Sequence, residues 1–310
     1  MGVKNKTLVT VFEFSGLTDD KLVAPFLVML FLVVYMVTIF GNIGMMAIVT
    51  ISPSLHTPMY YLLRYLSMVD LFYSSVITPK MLSDLISERK LITFIGCALQ
   101  FFFFCGLVAM EVFVLTDMAY DRYVAICHPL HYVSVMTKKK CLGLVLLSFS
   151  MGFAQSAAQT SSLFTLEFCD SNLIDHFYCD IPPLIRLSCS PTRNCTIVTL
   201  YFVCLVSLSS MMTILVSYAI IISSILRINS ASGRRKAFST CSSHLMCASI
   251  FYITVFCTYF HPFSTALQNQ ERVSSVIFTV VSPMLNPLIY SLRNQEVKKA
   301  ILHLLQKSPN

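Results

Sequence analysis

The sequence predicts an all-α membrane protein, a seven-transmembrane helix bundle followed by a short amphipathic C-terminal helix. Three observations carry that reading. Of the 310 residues, 56% are hydrophobic and only 12% are charged, about half the charge of an ordinary soluble domain. The apolar residues gather into seven stretches, near 24–50, 59–79, 97–121, 141–162, 196–225, 238–260 and 271–292, each approaching or exceeding the roughly 20 residues that cross a bilayer as a helix. Runs such as FLVMLFLVVYMVTIF lack the two-residue alternation of a membrane β-barrel strand.

The elements follow in order. Residues 1–23 read as a polar tail, with a glycosylation sequon at Asn5-Lys6-Thr7. No small-residue cleavage site follows a short apolar core, so the first helix is expected to act as its own uncleaved signal. Pro58 suits the start of the second helix and Pro79 its end. The third helix runs into Asp121-Arg122-Tyr123, three polar residues closing an apolar run. Residues 163–195 form the one long connection, acidic and rich in Cys and Pro, and a loop of that length is functional or tied down. A second sequon, Asn194-Cys195-Thr196, is pressed against the fifth helix. Pro283 and Pro287 lie inside the seventh, where each removes a backbone hydrogen bond and favours a kink. From Asn294 to Lys307 the apolar Val297, Ala300, Ile301 and Leu304 make a helical stripe flanked by lysines, as in a helix lying on a membrane surface. The whole of 1–310 reads as one domain, with the bundle over 24–292 and a tail over 293–310.

Charge fixes the expected orientation. With the N-terminus outside, the cytoplasmic segments hold twelve basic residues against two acids, Asp121 and Glu296, while the outer segments are nearly neutral. The net charge of +7 is then a topology signal and implies no nucleic-acid partner. Cys97, Cys169, Cys179, Cys189 and Cys195 fall on the outer side, where disulfides persist. Asp70 and Glu111 sit deep within helices, where an ionisable group costs roughly 3 kcal/mol on insertion scales. Two such acids argue for a shared polar site.

LHTPMYYLL (55–63), MAYDRYVAICHPLHY (118–132), KAFSTCSSHL (236–245) and PMLNPLIYSLRN (283–294) stand in this order, each at the cytoplasmic end of its own helix. This set resembles the odorant receptors among rhodopsin-like G-protein-coupled receptors. Gly41-Asn42 and SMVDLFYSS (67–75) fit the same pattern. The chain departs from it at Arg64-Tyr65, at Asp117, and in having no tryptophan.

The resemblance implies a plasma-membrane receptor, not an enzyme, that needs no cofactor. Its implied partners are a small volatile odorant, membrane lipid and a stimulatory heterotrimeric G protein that raises cyclic AMP. It places a ligand cavity between the outer halves of the third, fifth, sixth and seventh helices, at Phe104, Cys105, Val108, Phe202, Val206, Tyr252, Tyr259, Val276 and Thr279. With no Lys, Arg or acid expected there, the ligand reads as mostly apolar, fixed by one or two hydrogen bonds. The switch set is Asp121, Arg122, Tyr123, Tyr218, Arg234, Arg235, Lys236, His244, Asn286, Pro287 and Tyr290, with Arg122 latched by Asp121 at rest and Asp117 as a further candidate partner. Asn42, Ser282 and Asn286 join Asp70 and Glu111 in the polar site, which suits one shared proton or a sodium ion. Cys97–Cys179 matches the family's disulfide, and Cys169–Cys189 makes a second bridge that leaves Cys195 over. His176-Phe177-Tyr178-Cys179-Asp180 offers metal-ligand types, but a disulfide would consume Cys179. The rival reading is a transporter or channel using Asp70 and Glu111, against which stands the absence of inverted repeats.

Overall fold

In the computed structural model, residues 9–169, 171–227, 229–259 and 268–307 are described. Asn5 lies outside them, as does the side chain of Lys236. The bundle comprises α1 (Ala24–Ile51), α2 (Pro58–Ile86), α3 (Phe94–Cys127), α4 (Lys138–Phe164), α5, α6 (Ala231–Tyr259) and α7, followed by α8 (Gln295–Lys307). In α5 a π-helical stretch, Val203–Leu208, joins Arg193–Phe202 to Ser209–Leu226, and in α7 another, Ile277–Val281, joins Gln268–Val276 to Ser282–Arg293. Among the described residues, six of the seven long helices are apolar enough to cross a membrane. The exception, α2, carries Arg64, Asp70, Lys80 and Asp84 and hides most of its length inside the bundle.

Pro79 lies within α2 and does not end it. A helix proline forfeits one backbone bond, and here the flanking packing carries the helix on: Met81 and Leu85 are buried and Lys80 pairs with Asp84 one turn later. Likewise α3 continues to Cys127, so Asp121-Arg122-Tyr123 is an interior turn of the helix, not its last one.

Two close approaches set the helix register. Gly41 of α1 meets the ring of Pro287, where a Cβ would come within 3.1 Å of the ring. Because Pro287 has no N–H, the carbonyl of Pro283 has no partner one turn further on. Asn42 supplies it, its Nδ2 donating to that oxygen at 3.1 Å. Between α3 and α4, a Cβ on Gly152 would lie 2.9 Å from the Gly106 carbonyl, and Ser156 donates to the Phe102 carbonyl at 2.5 Å. These helices touch backbone to backbone.

The N-terminal segment is more than a tail. Val11–Phe14 is the central strand, β1, of a three-stranded sheet, antiparallel to β2 (Leu91–Thr93) and parallel to β3 (Leu173–Ile174). Phe12 and Phe14 are buried, Phe12 against the rings of Phe94 and Phe168. Beyond the strand, Lys90 Nζ donates to the carbonyls of Ser15 and Thr18 and pairs with Asp19. The chain turns at Gly16, whose φ of +74° suits glycine. Alternation in VFEF is the sequence signal for this strand, too short to stand out alone.

Candidate functional site

A cavity of about 700 Å³ opens between α3, α4, α5, α6 and a two-turn helix, Ile181–Leu187, in the long connection. Of the residues expected there, Phe104, Cys105, Val108, Val206 and Tyr259 line it. The other four stand outside the lining. Tyr252 bonds Ser210 at 2.6 Å. Thr279 is fully buried and donates to the Ser275 carbonyl of its own helix at 2.8 Å. Val276 packs against the main apolar core. Phe202 lies off the face of α5 that lines the cavity, which is made by Thr196, Thr199, Leu200, Val203, Val206 and Ser207 at helical spacing.

The lining also corrects the expectation of a site without charge. Asp180, Arg186 and Glu271 all border it, Arg186 donating to Glu271 at 3.1 Å. Asp180 starts the short helix, accepting from the Ile181 N–H at 2.8 Å, and it also accepts from the hydroxyls of Tyr178 at 2.9 Å and Tyr259 at 3.0 Å. Burial pushes the Asp180 carboxyl up to about 6, although these three donors favour its charged form. Tyr259 therefore spends its hydroxyl on the protein. Gln155 and Gln159 of α4 were not anticipated, yet they line the wall. Their spacing of four on one face of an apolar helix is a signal that could have found them.

The cavity is capped covalently. Cys97 at the start of α3 is bonded to Cys179, and Cys169 to Cys189, with Cα atoms 5.6 and 6.0 Å apart. Cys195 is buried, near Ser162 of α4. His176 is buried against Phe177, and burial, then the Arg272 charge, push its imidazole down to about 3. Its neighbour Cys179 is spent in the disulfide, so these two do not form a metal pair. Asp175 pairs with Arg272 beside it, fastening the cap to α7.

Midway along the bundle, Asn286 Nδ2 donates to Asp70 at 3.0 Å and reaches Glu111 at 3.4 Å. Both acids are buried. Asn42 does not join them; its amide goes to the carbonyls of Thr38 and Pro283. Glu111 Oε2 and Ser282 Oγ are buried without a partner among the described residues. An all-oxygen set of this kind suits a hard cation such as sodium.

At the opposite end, Arg122 donates to Asp121 at 2.6 Å. The other oxygen of Asp121 accepts from the Tyr132 hydroxyl at 2.9 Å. Asp117 takes no part, accepting instead from Ser148 of α4 at 3.1 Å. Tyr123 meets His128 at 3.1 Å. Tyr218 of α5 bonds His244 Nδ1 at 2.7 Å, and His244 Nε2 lies 3.0 Å from the Leu115 carbonyl of α3. An N–H on Nε2 and a bare Nδ1 satisfy both, so His244 ties three helices as a neutral ring. Tyr290 is fully buried, and Arg234 and Arg235 are exposed at the root of α6.

Seven helices with α3 tied by a disulfide to a capping loop, an Asn-Pro-bearing α7 packed on a buried acid, and an Asp-Arg-Tyr turn at the far end define a rhodopsin-like G-protein-coupled receptor. More narrowly, the chain belongs to the olfactory receptor family, whose model matches residues 31–308. It is 48% identical to olfactory receptor 5AR1 of Mus musculus over 309 residues, covering 100% of both chains. It is 50% identical to olfactory receptor 5AP2 of Mus musculus over 302 residues, covering 97% of this chain and 95% of that one. With olfactory receptor 8H3 of Homo sapiens it shares 46% over 307 residues, 99% and 98% of the two chains. It is a multi-pass membrane receptor and not an enzyme.

Proposed function

We propose that this receptor sits in the plasma membrane with its N-terminus outside, takes a small, mostly apolar odorant into the α3–α6 cavity, and activates a stimulatory G protein that raises cyclic AMP. The single observation that carries this reading is α3 itself. One continuous helix lines the cavity with Phe104, Cys105, Val108 and Val112 and, less than four turns further on, holds Asp121 and Arg122. A ligand can shift a conformational equilibrium only by binding one state better. One that draws α5 and α6 onto α3 changes the ties at Tyr252–Ser210 and Tyr218–His244, and so the seat of the Arg122 guanidinium.

The intramembrane acids fit a conformational role better than transport, since Asp70, Glu111 and Asn286 are closed into the helix core. When bound there, a sodium ion would be held by Asp70 and Glu111 and would neutralise their repulsion.

The test is a chemically diverse odorant panel read by cyclic AMP in cells bearing wild type or Arg122→Ala. Odorant-dependent cyclic AMP in wild type, lost in Arg122→Ala with surface expression intact, supports the reading. Equal responses from both proteins would sink the mechanism.

A further inference from the structure

Most polar atoms around the cavity are used up by one another or closed off from it. Asp180 takes three donors, and Glu271 is paired with Arg186. Thr196 turns its hydroxyl back on the Thr192 carbonyl of its own helix at 3.0 Å, while Thr199 Oγ1 and Gln155 Oε1 are sealed away from the space they border. Gln159 differs from all of these. The residue is only 2% exposed, it lines the cavity, and its Oε1 accepts from the Cys105 thiol at 2.6 Å. Its Nε2 has no acceptor among the described residues and is not sealed off, so the surface it keeps opens on the cavity.

The amide is held in that pose. One turn earlier α4 is fastened to α3, where Ser156 donates to the Phe102 carbonyl and Gly152 lies against the Gly106 carbonyl. A thiol donor selects the carbonyl end of an amide and leaves the NH₂ end to face elsewhere. Ser207 is the remaining hydroxyl of the lining, and a hydroxyl rotates to serve a ligand as donor or as acceptor, so it sets no preference between the two. An NH₂ end whose oxygen is already engaged can only donate.

We propose that Gln159 Nε2 is the polar anchor for the ligand, and that the ligand is a carbonyl compound, a ketone, aldehyde or ester on an apolar body. A carbonyl oxygen only accepts, so it satisfies the NH₂ end and brings no proton that needs a partner of its own. A hydroxyl can accept there too, but its own proton finds Gln159 Oε1 already bonded to Cys105. A hydrocarbon of the same shape leaves the N–H unbonded in a site it has emptied of water. Hydrogen-bonding sites reject analogues that lack the bonding group far more strongly than apolar sites reject a change of one methylene. The inference rests on the cavity being the ligand site and deepens that reading.

The test uses matched pairs, ketones against the alkenes in which a methylidene group replaces the carbonyl oxygen, on the full-length purified receptor and on Gln159→Met, an unbranched apolar near-isostere. Binding is read by ligand-induced thermal stabilisation and, separately, activation by cyclic AMP in cells. The expected result is at least one pair whose ketone binds wild type about tenfold more tightly, with that preference abolished in Gln159→Met and the alkene bound equally well or better. Surface staining and an unchanged unliganded melting temperature show that the variant folds. Cys105→Val supplies an independent arm, because it releases Gln159 Oε1 and the alcohol of the same skeleton should then gain on the ketone. Equal binding of both members of every pair by wild type, a ketone preference that survives in Gln159→Met, an alcohol that gains nothing in Cys105→Val, or no stabilisation by any pair overturns the proposal. Ketone-selective binding without any cyclic AMP response leaves Gln159 as the anchor and refutes the signalling reading instead.

Discussion

At the scale of single residues, the Asp121 carboxylate joins α3 to the connection that follows it. Its two oxygens are shared between Arg122 and Tyr132, so the latch proposed for Arg122 would have three members. Removing the tyrosine hydroxyl leaves a buried carboxylate short of one donor, worth about 1 kcal/mol or a severalfold change in population. Tyr132→Phe should therefore raise ligand-free cyclic AMP severalfold at equal surface density. A basal signal unchanged from wild type would show that Tyr132 is not part of the latch. Sequence alone marked Arg122 and Asp121 but not this partner, because Tyr132 lies eleven residues on, in a connection whose path no periodicity fixes. The same limit explains Asp117, which finds Ser148 on another helix.

Asp180 gives a second prediction at this scale. Its folded value of about 6 lies above the roughly 3.9 of an unfolded aspartate, so the fold favours the neutral carboxyl. Its stabilising contribution is complete below about pH 4 and is lost as pH rises through about 6. The detergent-solubilised receptor should melt at a higher temperature at pH 5 than at pH 7, and Asp180→Asn should flatten that difference. An undiminished slope in Asp180→Asn would assign it to other groups. Tyr259 changes role for the same reason: it is visible in sequence as a cavity hydroxyl, but its proton goes to Asp180.

At the scale of elements, the seven helices were legible because length and apolarity are local properties, and among the described residues six of the seven satisfy both. Their ends were less so. Pro79 reads as a stop, yet α2 packs on through it. The π-helical stretches of α5 and α7 have no sequence signature here, and Phe202 falls off the cavity face because the lining residues of α5 sit at 196, 199, 200, 203, 206 and 207. The N-terminal strand was missed because its four residues gain their order from β2 and β3, which lie far away in sequence. Contact between α3 and α4 depends on Gly106 and Gly152: a Cβ at Gly152 would meet the backbone of α3, and one at Gly106 the ring of Phe153. Gly152→Val should lower the melting temperature by the equivalent of about 1–3 kcal/mol and reduce surface delivery, whereas Gly143→Ala, which has nothing within 4 Å of its added Cβ, should be silent. Equal stability of the two variants would contradict the backbone-contact account.

At the scale of the whole molecule, the chain is organised along α3. Its start is bonded to Cys179, its first half faces the cavity, Glu111 sits in the polar cluster at its middle, and Asp121 and Arg122 lie near its end. Each site therefore shares one rigid element with the next, whereas the four sequence motifs mark only the cytoplasmic ends of separate helices. What they could not reveal was the cavity's polarity. Asp180, Arg186 and Gln155 reach it from the long connection and from α4, and their meeting is a property of the closed bundle.

On the proposed function, occupancy of this cavity drives the signal at the Arg122 end. It is tested by the odorant dose–response of Val108→Phe, a substitution at a partly buried lining residue of α3, with cyclic AMP compared against wild type at matched surface expression. Loss of odorant-evoked cyclic AMP, or a rightward shift of tenfold or more, with basal signal retained is the predicted result. Dose–response curves that superimpose on wild type across the panel would contradict it.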